Sequence, residues 1–275
     1  GGAKIDSNGE SFTIGQTFTG TAGDGGLTKI GAGTVTLSAA NTYTGTTTIT
    51  AGGLQLANAS TLGSSPLVVV AGGTAQVANA LRTTVAGLNL AGHGLVDVTS
   101  GLMTVKSGLS AAEVVTEILA GRSNGTWTGT SGITSSTAAA DVALGTSRAV
   151  GWLSNGNGSM TFAFAATGDT NLDWHVDVLD VANFIASGKY NTGNPATWNT
   201  GDFNYDGVAD VLDAANFITT GLYDTGSYNP PPVSVGAVAA VPEPTSVTMV
   251  AMACIAVACS CRLRRRPAVT AAAGG

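Results

Sequence analysis

From Thr34 onward the chain alternates apolar and polar residues in short runs. Thr34-Val-Thr-Leu, Leu54-Gln-Leu, Ala75-Gln-Val and Leu95-Val-Asp-Val recur with a period of roughly 20 residues. A second set, Thr46-Thr-Thr-Ile, Leu67-Val-Val-Val and Leu88-Asn-Leu, interleaves with the first at the same period. Gly52-Gly53, Gly72-Gly73 and Gly92 separate the pieces. Alternation places every second side chain on one face of a strand. A fixed period then lets each coil bury that face on its neighbours, which predicts a β-solenoid over residues 1–106 of a mainly β chain.

The pattern changes after residue 106. Ser110-Ala-Ala-Glu113 has the form of a capping box ahead of Val114, Val115, Ile118 and Leu119, with Gly121 as the stop of a helix of about three turns. Met160-Thr-Phe-Ala-Phe164 reads as a strand that Trp127 and Trp152 pack against, and residues 107–167 read as a connector. Two similar helical segments follow: Val178–Ile185, stopped at Gly188, and Val211–Ile218, stopped at Gly221. Val178, Ala182 and Ile185, like Val211, Ala215 and Ile218, recur at helical spacing, which predicts that those faces meet in one small shared core.

Composition restricts the chemistry further. All three Cys (Cys254, Cys259, Cys261) lie in one apolar stretch near the end, so residues 1–253 have neither a disulfide framework nor a thiolate zinc site. Residues 1–261 hold 17 acids and seven bases, a formal charge of −10. Such a surface repels nucleic acid and attracts cations. Residues 26–106 carry only scattered ionisable groups, namely Lys29, Arg82, His93, Asp97 and Lys106. No nucleophile–base pair or paired-carboxylate cleft is visible, and the chain reads as non-catalytic.

The acids are concentrated in two places. Asp169-Thr-Asn-Leu-Asp-Trp-His-Val-Asp-Val-Leu-Asp180 aligns with Asp202-Phe-Asn-Tyr-Asp-Gly-Val-Ala-Asp-Val-Leu-Asp213 further along the chain. Both carry an acid or amide at positions 1, 3, 5, 9 and 12, the oxygen-ligand spacing of an EF-hand-type loop for Ca²⁺. The expected ligands are Asp169, Asn171, Asp173, Asp177 and Asp180, and Asp202, Asn204, Asp206, Asp210 and Asp213. His175 and Val208 at position 7 would add only a backbone carbonyl. Two ions are thus expected. The first loop is the weaker prospect, because the sharp turn at position 6 suits Gly207 and not Trp174.

Three resemblances to known families accompany these patterns. The run from Gly26 to Leu56 resembles the autotransporter-associated β-strand repeat, which implies an extracellular scaffold. Loop-then-helix, duplicated over residues 168–224, resembles a dockerin type I module and implies calcium-dependent docking to a cohesin. Val178-Leu179 and Val211-Leu212 stand where that family often has Ser-Thr for cohesin recognition, so docking within the same protein is the alternative expectation. Val241-Pro-Glu-Pro244, sixteen uncharged residues from Ser246 to Cys261 and the cluster Arg262 to Arg266 resemble a PEP-CTERM sorting signal. That likeness implies a transmembrane helix and transient inner-membrane anchoring until an exosortase-type enzyme cleaves the chain.

The expected organisation is a solenoid over 1–106, a connector over 107–167, a dockerin-like calcium module over 168–228 and a linker with sorting signal over 229–275. The opening Gly1-Gly2, without Met or signal peptide, predicts further chain upstream. The expected role is structural, at the cell surface or in the extracellular matrix. The competing expectation is the tethering end of a polysaccharide-degrading enzyme, such as a glycoside hydrolase, whose catalytic domain lies upstream.

Overall fold

The computed structural model describes residues 2–230 apart from 21, 22, 24, 63 and 91. Within them the chain winds a parallel β-solenoid of about five coils. The first two coils supply β1 (Ala3–Asp6) and β2 (Phe12–Ile14), then β3 (Leu27–Ile30) and β4 (Thr34–Leu37). The third supplies β5 (Thr47–Ile49) and β6 (Gly52–Leu56). The last two add a third side: β7 (Leu67–Val69), β8 (Gly73–Val77) and β9 (Arg82–Val85), then β10 (Leu88–Asn89), β11 (Leu95–Asp97) and β12 (Leu102–Val105).

Stacked coils build the sheets. One sheet runs β1-β3-β5-β7-β10 and a second runs β2-β4-β6-β8-β11, all parallel. Inward positions align from coil to coil: Val35, Leu54, Ala75 and Val96 lie in register and each has no exposed surface. Leu27, Thr47, Leu67 and Leu88 form the matching row on the other sheet. The expected strands are present, but two start one residue out of phase. Val35, not Thr34, pairs with Leu54, and Val96, not Leu95, pairs with Ala75. A slip of one residue exchanges inner and outer faces, so burial of Val35 and Val96 sets the register.

Polar groups are satisfied along the same axis. On the second sheet a side-chain ladder runs from Thr36 to Gln55 (3.1 Å), Gln55 to Gln76 (3.0 Å) and Gln76 to Asp97 (3.1 Å). Lys29 occupies an inward position with no exposed surface. Its ammonium donates to Ile30 O and Gly31 O at 2.8 Å, Ser7 Oγ at 3.1 Å and Ala51 O at 3.2 Å, tying the corners of three coils. Burial lowers the Lys29 pKa, with Asp6 opposing the shift.

Residues after 106 continue these sheets. α1 (Ala111–Arg122) has the expected capping box, Ser110 Oγ accepting from the Glu113 N–H while Glu113 accepts from the Ser110 N–H. It runs past Gly121 and ends at Ser123, whose φ of 45° is left-handed. Gly121 instead allows close packing, since a Cβ there would fall 2.0 Å from Ile133 O. β13 (Gly132–Thr134) adds a sixth strand beside β11. α2 (Ser136–Ala143) leads to β14 (Ala149–Ser154) and β15 (Met160–Ala165), a hairpin that joins the third sheet with β15 antiparallel to β12. Trp152 pairs with Phe162 across that hairpin, and buried Trp127 donates to Arg148 O at 2.9 Å. Both tryptophans are therefore packing residues. Among the described residues no helix is long and apolar enough to cross a membrane. The predicted apolar helix over 246–261 and its sorting motif lie outside the described residues.

Gly52 tests the stacking. Its φ is +63°, and a Cβ would fall 2.5–2.6 Å from the carbonyl oxygens of Gly31, Ala32 and Gly33 on the preceding coil. Gly52→Ala should therefore lower unfolding stability by about 2 kcal/mol or more in urea titration.

Candidate metal centre

β15 runs directly into the two acidic loops, which lead into α3 (Val178–Ala186) and α4 (Val211–Thr219). The loops share one framework of backbone-to-carboxylate hydrogen bonds. The position 1 carboxylate accepts from the position 6 N–H, Trp174 to Asp169 at 3.0 Å and Gly207 to Asp202 at 3.1 Å. Position 3 accepts from the position 5 N–H at 3.0 and 2.8 Å, and position 5 from the position 7 N–H at 2.9 and 3.0 Å. Position 12 accepts from the N–H groups of positions 2 and 9 in both copies. Leu172 and Tyr205 at position 4, and Trp174 and Gly207 at position 6, all have positive φ.

Trp174 therefore keeps the turn that its size was expected to disturb. Its side chain holds the left-handed backbone in place: Nε1 donates to Phe164 O at 3.1 Å, and the Arg82 guanidinium lies 4.2 Å from the ring centre. Trp198, which has no exposed surface, links the two copies by donating from Nε1 to Asp169 O at 2.7 Å while stacking on Tyr205. Tyr205 in turn donates to Val150 O at 2.9 Å on β14. Asn229 donates to Ser100 O at the solenoid's last coil. The module is thus bolted to the closed end of the solenoid.

The helices turn the opposite way from the sequence expectation. Val178, Leu179 and Ile185 are 58–67% exposed, and Val211, Leu212 and Ile218 are 59–74% exposed. They form no shared core. Each helix is oriented by a capping box, Asp177 with Asp180 and Asp210 with Asp213, which puts the position 12 carboxylate inside its loop. Phe184 and Phe217, one helical turn further along, then face inward and press on Gly201 and Gly168 respectively.

The electrostatics are unfavourable as they stand. Asp169, Asp180, Asp202 and Asp213 are at most 5% exposed. The ion pairs found among the described residues are Arg148 with Asp141 and His175 with Asp173, so none of the four has a cationic partner there. Burial raises the pKa of Asp169 to about 7 and that of Asp202 to about 6, with Asp180 and Asp213 respectively adding repulsion. Burial also raises Asp180 and Asp213. Buried carboxylates need protons or a cation.

The donors fit a hard cation in kind, because each loop offers Asp and Asn oxygens and one backbone carbonyl and no sulfur. They are not drawn together: among the described residues no group of three or more His, Cys, Asp or Glu forms a metal-holding cluster. The side-chain oxygens accept from the loop's own N–H groups instead: the capping boxes engage positions 9 and 12, and position 12 accepts from the position 2 N–H as well. Asp169 is the more committed of the position 1 residues, since Leu172, Asp173 and Trp174 N–H groups and the Tyr228 hydroxyl all bond to it. Asp202 accepts from the Asp206 and Gly207 N–H groups and is favoured by that of Tyr205, but no hydroxyl bonds to it as Tyr228 does to Asp169. Tyr228, far from Asp169 along the chain, carried no sequence signal linking the two.

Comparison with known proteins bears on the solenoid. Residues 27–56 match the family described as a passenger-associated-transport-repeat. No curated protein and no solved structure matches the chain. The repeat spans β3 to β6, two strands from each of two coils, and the coils continue on both sides of it. Repeat and solenoid together fit an exported surface protein of structural kind. The acidic loops lie outside the matched residues.

The raised carboxylate pKa values set a pH dependence. Asp169 and Asp202 move from an ordinary value of 3.8 to about 7 and about 6, so folding favours their protonated forms. Their contribution is fully present below pH 3.8 and lost as pH rises through 6 and 7. In metal-free buffer the chain should melt at a higher temperature at pH 5 than at pH 8, as followed by calorimetry.

Proposed function

We propose that this chain is a non-catalytic structural and interaction segment of an exported surface protein, in which a calcium-stabilised dockerin-like module sits on a β-solenoid stalk. One observation carries the reading. Two loops of matching sequence repeat the same hydrogen bonds and bury four carboxylates that have no cationic partner among the described residues. Acidic surface turns would leave such carboxylates in water. Asp169, Asn171, Asp173, Asp177, Asp180 and the His175 carbonyl would hold one ion, and Asp202, Asn204, Asp206, Asp210, Asp213 and the Val208 carbonyl a second. Calcium supplies positive charge that replaces the protons these groups otherwise need.

The outward helix faces support the docking part. One side of the module packs on the solenoid end, and Val178, Leu179, Ile185, Val211, Leu212 and Ile218 remain exposed on the two helices. An apolar patch of this kind marks an interaction surface, and a cohesin-like partner is the occupant that the loop-helix duplication suggests. The C-terminal pattern of Pro-Glu-Pro, apolar run and arginines supports sorting by an exosortase-type enzyme with transient membrane anchoring.

Calcium at 100 times its Kd should stabilise the folded chain by about 2.7 kcal/mol per site. That corresponds to a rise of roughly 5–10 °C in melting temperature. Asp202→Ala with Asp213→Ala should remove the second site's share of the rise. An identical melting temperature in millimolar calcium and in chelator would contradict the reading.

A further inference from the structure

The turn between β14 and β15 reads Asn155-Gly-Asn-Gly-Ser159, two Asn-Gly pairs in succession, and its residues 155–158 are exposed. Two further pairs, Asn8-Gly9 and Asn124-Gly125, lie elsewhere in the chain. An Asn followed by Gly is able to react with its own backbone. The next amide nitrogen closes a five-membered ring on the side-chain carbonyl, and glycine has no Cβ to obstruct the approach. All four pairs share this chemistry and differ in what the fold does to them.

At Asn157 the fold favours the reaction. Its Oδ1 accepts from the Ser159 N–H at 3.0 Å and from the Ser159 hydroxyl at 2.6 Å. Asn155 Nδ2 donates to that same hydroxyl at 2.9 Å and to Thr161 Oγ1 at 3.1 Å, which directs the hydroxyl proton to Asn157. Two donors on Oδ1 draw electrons from Cγ and stabilise the oxyanion that forms when a nucleophile adds there. The nucleophile is uncommitted: the Gly158 N–H makes no hydrogen bond among the described residues, and nothing lies within 4 Å of where a Cβ on Gly158 would stand. The Asn157 Nδ2, which must leave, is also unbonded there. Asn155 differs in having that leaving nitrogen tied to two hydroxyls. Neither it nor Asn8 nor Asn124 has a donor on its side-chain oxygen among the described residues.

We propose that Asn157 is a self-modifying site, converted to aspartate or isoaspartate by cyclisation through Gly158. The Gly158 nitrogen gives its proton to water and bonds to Cγ; the Cγ–Nδ2 bond breaks and ammonia leaves, giving a succinimide. One water then opens either carbonyl of the ring. The net change is amide plus water to carboxylate plus ammonium, with no oxidant or cofactor. Both products place a negative charge at the tip of the hairpin that joins the third sheet. The isoaspartyl product also adds a methylene to the main chain inside the turn that Asn155 N–H and Ser159 O close. On an exported surface protein the change accumulates with age. The site lies outside the acidic loops and does not depend on the calcium reading.

The test is peptide-mapping mass spectrometry of the full chain held at pH 8, natively folded and in urea, with amide loss followed at each Asn-Gly pair. In the folded chain Asn157 should react fastest, giving both aspartyl and isoaspartyl products. One hydrogen bond to a developing oxyanion corresponds to about tenfold in rate, so Ser159→Ala should slow Asn157 about tenfold. In urea the four pairs should react at similar rates. Equal rates at the four pairs of the folded chain would overturn the assignment, as would a lead for Asn157 that persists in urea. An unchanged Asn157 rate in a folded Ser159→Ala chain would also overturn it. The comparison of the four pairs on the unaltered chain decides the matter even if the variant fails to fold.

Discussion

A solenoid coil has no core of its own, and each one is stable only because the next coil covers its apolar face. Here the rows of Val35, Leu54, Ala75 and Val96, and of Leu27, Thr47, Leu67 and Leu88, are that cover. The same rule demands an end. Parallel stacking stops where β15 runs antiparallel to β12, and α1 with β13 closes the second sheet. The two-loop module is then laid against this closure by Trp174, Trp198, Tyr205 and Asn229. Its position, and so the exposure of its helices, follows from how the stack terminates.

Polar side chains fix the details that apolar burial leaves open. The Gln55–Gln76–Asp97 ladder resists sliding of one coil on the next, and the Lys29 ammonium binds carbonyls at the coil corners. In the module, position 12 of each loop serves at once as helix cap and as loop acceptor. That double use explains how two short helices keep their orientation without a shared apolar core.

Much of this was legible in the sequence, for physical reasons. Strand alternation and period located β4 to β8, β10 and β11, because inward residues must recur once per coil, whereas β9 and β12, the third side of the last two coils, fell outside both sets. The Ser110 capping box and the Met160–Phe164 strand were readable from local chemistry. Exact register was not, since Thr34 and Val35 are both good strand residues and only burial distinguishes them. The outward helix faces were not legible, because apolar residues at helical spacing ordinarily mark the inward side, whereas here the capping carboxylates Asp180 and Asp213 take it. Tyr228 and Asp169 met only through the fold.

The central claim is that the buried carboxylates of the two loops exist to hold calcium. Native mass spectrometry of the full chain, with and without added calcium, tests it most directly. The account predicts a mass increase of two calcium ions per chain, lost in chelator, with the ion held by Asp202 to Asp213 retained to lower free calcium than its counterpart. A chain whose mass is unchanged by calcium at neutral pH would contradict it.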